Sequence, residues 1–137
     1  MPKKNKLISI VMPVRNEERY LAIAVERALS QELPSGYRSE VVLALAPSSD
    51  ATQSIAEGLA VKISTVRVVD NLSGLTSAGL NLAIKESLGE IVVRVDAHSI
   101  LEPNYIAFAI AELERDPKIG NVGGVMDAEQ DDYPFER

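Results

Sequence analysis

The chain has 137 residues, about one domain in length, and a formal charge of −6 from 20 Asp and Glu against 14 Lys and Arg. Hydrophobic residues make up 46% and charged residues 25%, which argues against disorder. The acidic balance supplies no basic stripe to neutralise phosphates, so no nucleic acid is expected as the main partner. With no Cys there is no disulfide framework, thiolate metal site or Cys nucleophile. The longest apolar runs, such as residues 41–46, fall far short of the ~20 residues that cross a bilayer. Three lysines precede residues 7–14, but Ser9 and Pro13 interrupt that run and no small-residue cleavage site follows. It reads as a first strand rather than a signal peptide.

Short apolar runs alternate with segments of helical period. Residues 7–12 (Leu-Ile-Ser-Ile-Val-Met) form a β-branched run of the buried-strand type. Asn16 suits a helix N-cap, with Glu17 and Glu18 in the first turn, where the dipole favours acids. Tyr20, Leu21, Ala24, Val25, Ala28 and Leu29 then repeat on one face until Leu33-Pro34-Ser35-Gly36 ends the helix. Residues 40–46 form a second strand. Asp50 with Gln53 resembles a capping box opening a helix that runs to about Ala60. Residues 64–69 form a third strand and 70–74 a loop, and Thr76 or Ser77 can cap a third helix. Residues 90–95 form a fourth strand. Pro103 suits the first position of a fourth helix, which Asp116-Pro117 stops. Residues 119–125 are expected as a fifth strand, and the tail from Asp127 carries five acids with little apolar periodicity.

Strand–helix alternation repeated four times predicts an α/β fold, a mostly parallel sheet with helices on both faces. Ligands bind such sheets outside the carboxyl ends of the strands, at a topological switch point. There the chain places Pro13-Val14-Arg15-Asn16-Glu17, then Pro47-Ser48-Ser49-Asp50, then Asp96-Ala97-His98-Ser99. An Asp-x-His pair directly after a strand can aim two donors at one cation, with a diphosphate supplying others. On spacing alone the alternative stays open: Asp96 caps a turn and His98, the only histidine, is a polar loop residue. No Gly-x-Gly-x-x-Gly follows the first strand, and the chain has no P-loop and no Gly-x-Ser-x-Gly. Dinucleotide binding, P-loop chemistry and a serine-hydrolase triad are therefore disfavoured. Without an acidic pair after strand one, a phospho-receiver is disfavoured too.

Taken together, these segments resemble family 2 glycosyltransferases of the GT-A fold. Residues 9–18 (Ser-Ile-Val-Met-Pro-Val-Arg-Asn-Glu-Glu) are similar to the family's opening, and residues 47–52 (Pro-Ser-Ser-Asp-Ala-Thr) sit where it carries its second turn. Asn71, Gly74, Ala78 and Asn81, then Gly89-Glu90 before a strand, fit the next segment. Asp96-Ala97-His98, followed by Pro103-Asn104, fits its Asp-x-Asp motif. The order and spacing hold over residues 7–124. Within the family, Arg-Val-Asp-x-His with Ala-Pro-Ser-x-Asp most resembles the branch of exopolysaccharide, succinoglycan-type glucosyltransferases.

The resemblance implies a nucleotide-diphospho-sugar donor, UDP-linked by family habit, and a divalent metal that offsets charge on the leaving nucleoside diphosphate. Asp96 would lie near ribose and metal. His98 falls where the family's second Asp ligates the metal, and imidazole there favours Mn²⁺ over Mg²⁺. Pro13, Arg15 and Glu17 match the segment that shapes the base and ribose pocket, Arg15 standing where an aromatic is common. The alternative for Arg15 is a surface charge paired with Glu17 or Glu18, and for Glu17 a role at the helix dipole alone. Where many members carry an acid for the base, this chain has Leu45 and Ala46, and Asp50 reads better as a cap.

An inverting transferase also needs a carboxylate base for the acceptor hydroxyl. None of Asp127, Glu129, Asp131 and Asp132 matches it by position, which puts the base beyond Arg137. Residues 1–137 are thus expected to form one nucleotide-sugar-binding domain, the donor-binding part of a longer cytoplasmic enzyme in polysaccharide synthesis, with 126–137 an irregular acidic tail. That enzyme would act on a saccharide or lipid-linked acceptor and meet a membrane only through segments absent from this chain. A second reading is a non-catalytic GT-A-like module that self-associates through an uncovered sheet edge. A sugar-1-phosphate nucleotidyltransferase ranks last, because residues 12–16 lack the Gly-rich loop it needs.

Overall fold

The computed structural model describes residues 5–123. Four strands, β1 (Lys6–Val14), β2 (Tyr37–Leu45), β3 (Val66–Asp70) and β4 (Ile91–Arg94), alternate with four helices. These are α1 (Leu21–Leu29), α2 (Thr52–Lys62), α3 (Thr76–Glu86) and α4 (Tyr105–Arg115). All strand pairs are parallel and the order is β3-β2-β1-β4, so the first strand in sequence is central. Register sets Ile10 beside Val41 on one side and Val93 on the other.

The runs in β1 and β2 are apolar because both faces of these strands are covered. Ile8, Ile10, Met12 and Val14 of β1 pack with Val41, Leu43 and Leu45 of β2 under α1, α2 and α4, which contribute Leu21, Val25, Ala56, Ile106 and Ile110. The intervening Val11, Val42 and Ala44 face Ala83 and Leu80 of α3 on the other side. Helices thus lie on both faces, as the alternation implied. Near the start of β2, Tyr37 donates its hydroxyl to the Glu114 carboxylate, tying α4 to the sheet. That bond, with burial and the Glu114 charge, pushes the phenol pKa up to about 12.

Near the amino ends of the strands lies a buried polar knot. Ser9 Oγ donates to Glu40 Oε1 at 2.7 Å, and Arg67 Nη2 reaches both Glu40 oxygens at 3.3 Å. The turn between α3 and β4 closes onto the same pair, with Leu88 N donating to Glu40 Oε1 at 2.9 Å and Gly89 N to Ser9 Oγ at 2.8 Å. Burial alone would raise the Glu40 pKa. The Leu88 N–H, the Ser9 hydroxyl and Arg67 outweigh it and hold the carboxyl below its ordinary value. Gly89 is a steric requirement here, since a Cβ would stand 2.5 Å from Ser9 Oγ and 2.7 Å from Leu7 O.

Several expected boundaries move. α1 starts at Leu21 rather than after Asn16, because Asn16 takes a left-handed backbone (φ 49°) and residues 17–20 form a separate turn closed by Leu21 N to Glu17 O at 2.9 Å. Glu17 and Glu18 therefore lie outside the helix's first turn. The Asp50–Gln53 capping box does not form: Asp50 bonds Thr52 and the Glu18 N–H, while Gln53 pairs with Glu57. Neither Thr76 nor Ser77 caps α3. Leu75 holds the cap position, its N–H bonded to Ser73 Oγ and its carbonyl to Asn71 Nδ2. Pro103 stands just before Asn104, the cap residue of α4. Residues 119–123 carry no strand, and the rest of the expected fifth strand, with the acidic tail, lies outside the described residues.

Candidate functional site

The chain runs from β1 outward through β2 to β3, then returns to place β4 on the other flank of β1. The switch point therefore falls between β1 and β4, whose carboxyl ends lie side by side, with Val95 N bonded to Val11 O at 3.0 Å. Beyond β4 the alternation of burial continues through residues 95–98. Val95 and Ala97 are buried, so Asp96 and His98 turn away from the core. Gln31 anchors the far side of this loop: its Nε2 donates to Glu102 O at 2.7 Å and its Oε1 accepts from Ile106 N at 3.1 Å.

The loop after β1 is clamped to the loop after β2. Asn16 N donates to Ser48 Oγ at 3.0 Å and Asn16 Oδ1 accepts from Ser49 N at 2.8 Å. Glu17 N donates to Thr52 Oγ1 at 2.8 Å, and Ala51 N donates to Glu18 Oε2 at 3.1 Å. Asp50 joins from below, one oxygen taking the Thr52 hydroxyl and N–H, the other the Glu18 N–H. Chiefly through the Thr52 hydroxyl, these donors lower its pKa. Both its oxygens are engaged in holding the loops, in place of the helix cap its spacing suggested.

Across this clamp, sequence-distant residues meet. Glu17 Oε1 lies 3.0 Å from His98 Nδ1, a contact spanning 81 residues. Asp96 Oδ1 pairs with Arg94 Nε at 3.2 Å. Each expected metal ligand thus uses one atom on a protein partner, leaving Asp96 Oδ2 and His98 Nε2 without a hydrogen bond among the described residues. No group of three or more His, Asp and Glu side chains there could hold an ion alone. The donor set fits a cation that takes two protein ligands and completes its shell with phosphate and water oxygens.

Of the other expected site residues, Pro13 is half-buried in β1 opposite Ala44. Arg15 is exposed and makes no ion pair with Glu17 or Glu18 among the described residues. Its Nη1 instead reaches 4.0 Å from where a Cβ on Gly74 would stand, beside the loop after β3. Leu45 and Ala46, at the positions where the resemblance implied an acid for the base, are buried. Ser48 and Thr52 enter the sequence reading only as members of the turn at residues 47–52, with no role of their own, and Gln31 does not enter it. For Thr52 a signal was present, a hydroxyl two residues after an Asp at a helix start; for Gln31 none was.

The sequence profile of Glycosyl transferase family 2 matches residues 9–137. The chain belongs to that family. Among family-2 relatives it is 33% identical over 99 residues to the succinoglycan biosynthesis protein ExoA of Rhizobium meliloti (strain 1021), covering 70% of this chain and 29% of that protein. Mannosyltransferase PcManGT from Pyrobaculum calidifontis, solved with GDP-Man and Mn²⁺, superposes with a TM-score of 0.71 at 27% identity, over 82% of this chain and 33% of that one. TarS 1–349 of S. aureus, solved with UDP-GlcNAc, gives 0.63 at 26% identity, over 79% and 31%. The fold is therefore that of the GT-A transferases. This chain spans between 29% and 39% of the length of the curated relatives it matches. No helix among the described residues is long and apolar enough to cross a membrane.

Proposed function

We propose that this family-2 chain is the donor-binding domain of a metal-dependent glycosyltransferase that uses a nucleotide-diphospho-sugar, UDP-linked in the first instance. The observation that carries the reading is the pair Asp96 and His98. Both follow β4 at the switch point, each is steadied by a protein partner, and each keeps one donor atom open. Binding of UDP-GlcNAc by TarS and of GDP-Man with Mn²⁺ by PcManGT supports a donor site of this kind.

Asp96 and His98 hold the cation, and Pro13, Arg15 and Glu17 border the nucleoside. A divalent ion held there would offset charge on the departing diphosphate. The Arg15 guanidinium offers a flat cationic face on which a base can stack, in the place of an aromatic. Imidazole ligation favours Mn²⁺ over Mg²⁺. Transfer proceeds with inversion, in the cytoplasm, to a saccharide or lipid-linked acceptor. The general base belongs to the acceptor-binding half, in the part of a relative-length protein that this chain does not span.

Calorimetric titration of UDP tests the reading. With Mn²⁺ present, uptake is expected in wild type, weaker with Mg²⁺, absent without metal, and lost in His98→Ala. Equal affinity for the two metals would remove His98 from the ligand set. No heat with UDP or GDP in any buffer, from protein that remains folded, would overturn the donor reading. It would favour a non-catalytic module associating through the outer edge of β4, where Val92 and Ile84 are exposed.

A further inference from the structure

The two loops at the switch point do more than lie near each other. Thr52 is fully buried, and its hydroxyl both donates to Asp50 and accepts the Glu17 N–H. The backbone on either side of Glu17 is pinned as well, through Asn16 to Ser48 and through Glu18 to Asp50. The Glu17 side chain, only 18% exposed, then meets a His98 side chain that is 65% exposed. An ionised carboxylate can only accept, so the atom facing it, His98 Nδ1, must carry the proton. In the neutral ring the lone pair then sits on Nε2.

We infer that Thr52 and Glu17 are positioning residues for His98: Thr52 fixes the Glu17 backbone, and Glu17 fixes the ring's tautomer and plane so that Nε2 is presented as a ligand atom. The inference rests on the metal role given to His98 above. Partners of this kind orient ligating imidazoles, and their loss weakens metal affinity by about 10–100-fold.

The chain contains a single histidine, so a multiple-bond ¹H–¹⁵N spectrum of untagged, metal-free protein reads His98 directly. Wild type is expected in the Nδ1–H form. Glu17→Ala is expected to release the ring to mixed tautomers and to weaken Mn²⁺ uptake, measured with UDP present, by tenfold or more. Glu17→Gln, whose amide oxygen still accepts, should retain the Nδ1–H form. Thr52→Val keeps the shape of the residue and removes both hydroxyl bonds, so it should shift the tautomer and the Mn²⁺ affinity in the direction of Glu17→Ala, while Thr52→Ser restores both. A Thr52→Val protein that only melts earlier, with spectrum and affinity unchanged, would reduce Thr52 to a structural role and overturn its part. Wild type in the Nε2–H form, or a Glu17→Ala variant binding Mn²⁺ as wild type does, would overturn the inference and leave the donor site standing. Wild type in the Nδ1–H form with no Mn²⁺ uptake would instead overturn the metal reading, and with it the role assigned to both residues.

Discussion

Toward each end of the sheet sits a polar cluster built around a carboxylate, and the two clusters differ in what they leave open. Toward the amino ends, Glu40 is 6% exposed and its oxygens accept from Ser9, Leu88 N and Arg67. At the carboxyl ends, Asp96 and His98 each have one protein partner and one donor atom without any among the described residues. A buried carboxylate must be saturated, because an unmet charge in a dry interior costs several kcal/mol. An exposed one can stay half-used. The saturated cluster holds the fold, and the unsaturated one is where a ligand can add.

The contrast breaks first, and hardest, at Gly89. Gly89→Ala drives a Cβ into Ser9 and the Leu7 carbonyl, and is expected to cost about 2–3 kcal/mol in urea unfolding. In the folded fraction, nucleotide affinity should stay at the wild-type value. A variant that keeps its stability but loses nucleotide would show that the amino-end cluster serves the site after all.

Acid sharpens the same comparison. The folded pKa of Glu40 lies below its ordinary 4.5, so its contribution is fully present above that value and is lost as pH falls through the lower folded one. Glu40→Gln is expected to cost about 2 kcal/mol at neutral pH, since it leaves Arg67 without its charge partner. It should also make the acid limb of the stability curve shallower than in wild type. Unchanged slopes below pH 4.5 would mean that other carboxyls, Asp50 among them, carry the acid response.

The smallest effect is expected in the clamp near the site. Asn16→Ala loses the Ser49 bonds and keeps a left-handed backbone that alanine disfavours, for about 1–2 kcal/mol. Asn16→Gly relieves the backbone term and should recover part of the loss. Equal stability of the two variants in chemical denaturation would assign the whole effect to the side-chain bonds.

Much of the fold could be read from hydrophobic period alone, because β1 and β2 are covered on both faces and α1 and α4 on one. Helix starts were misread where a polar residue had a tertiary partner. Asn16 and Asp50 look like local caps, yet both reach across to the neighbouring loop. The place of Asp96 and His98 could be read from the sequence, because polar residues directly after an apolar strand end at a sheet's carboxyl edge. The Glu17–His98 contact was not, since pairing over 81 positions depends on strand order, and periodicity does not encode strand order. Gln31 was missed for the same reason: its partners, Glu102 and Ile106, lie 71 and 75 positions away.

The central place of β1 also sets a timetable. Of the four described strands it is the first to be synthesised, yet its second neighbour, β4, begins only at Ile91. Through the synthesis of three helices and two further strands it can be flanked on one side alone. Closing so long a loop is an entropic step that precedes any reward from the contacts it brings. His98 is made later still, so the histidine that faces Glu17 reaches its position only after all four described strands have been made.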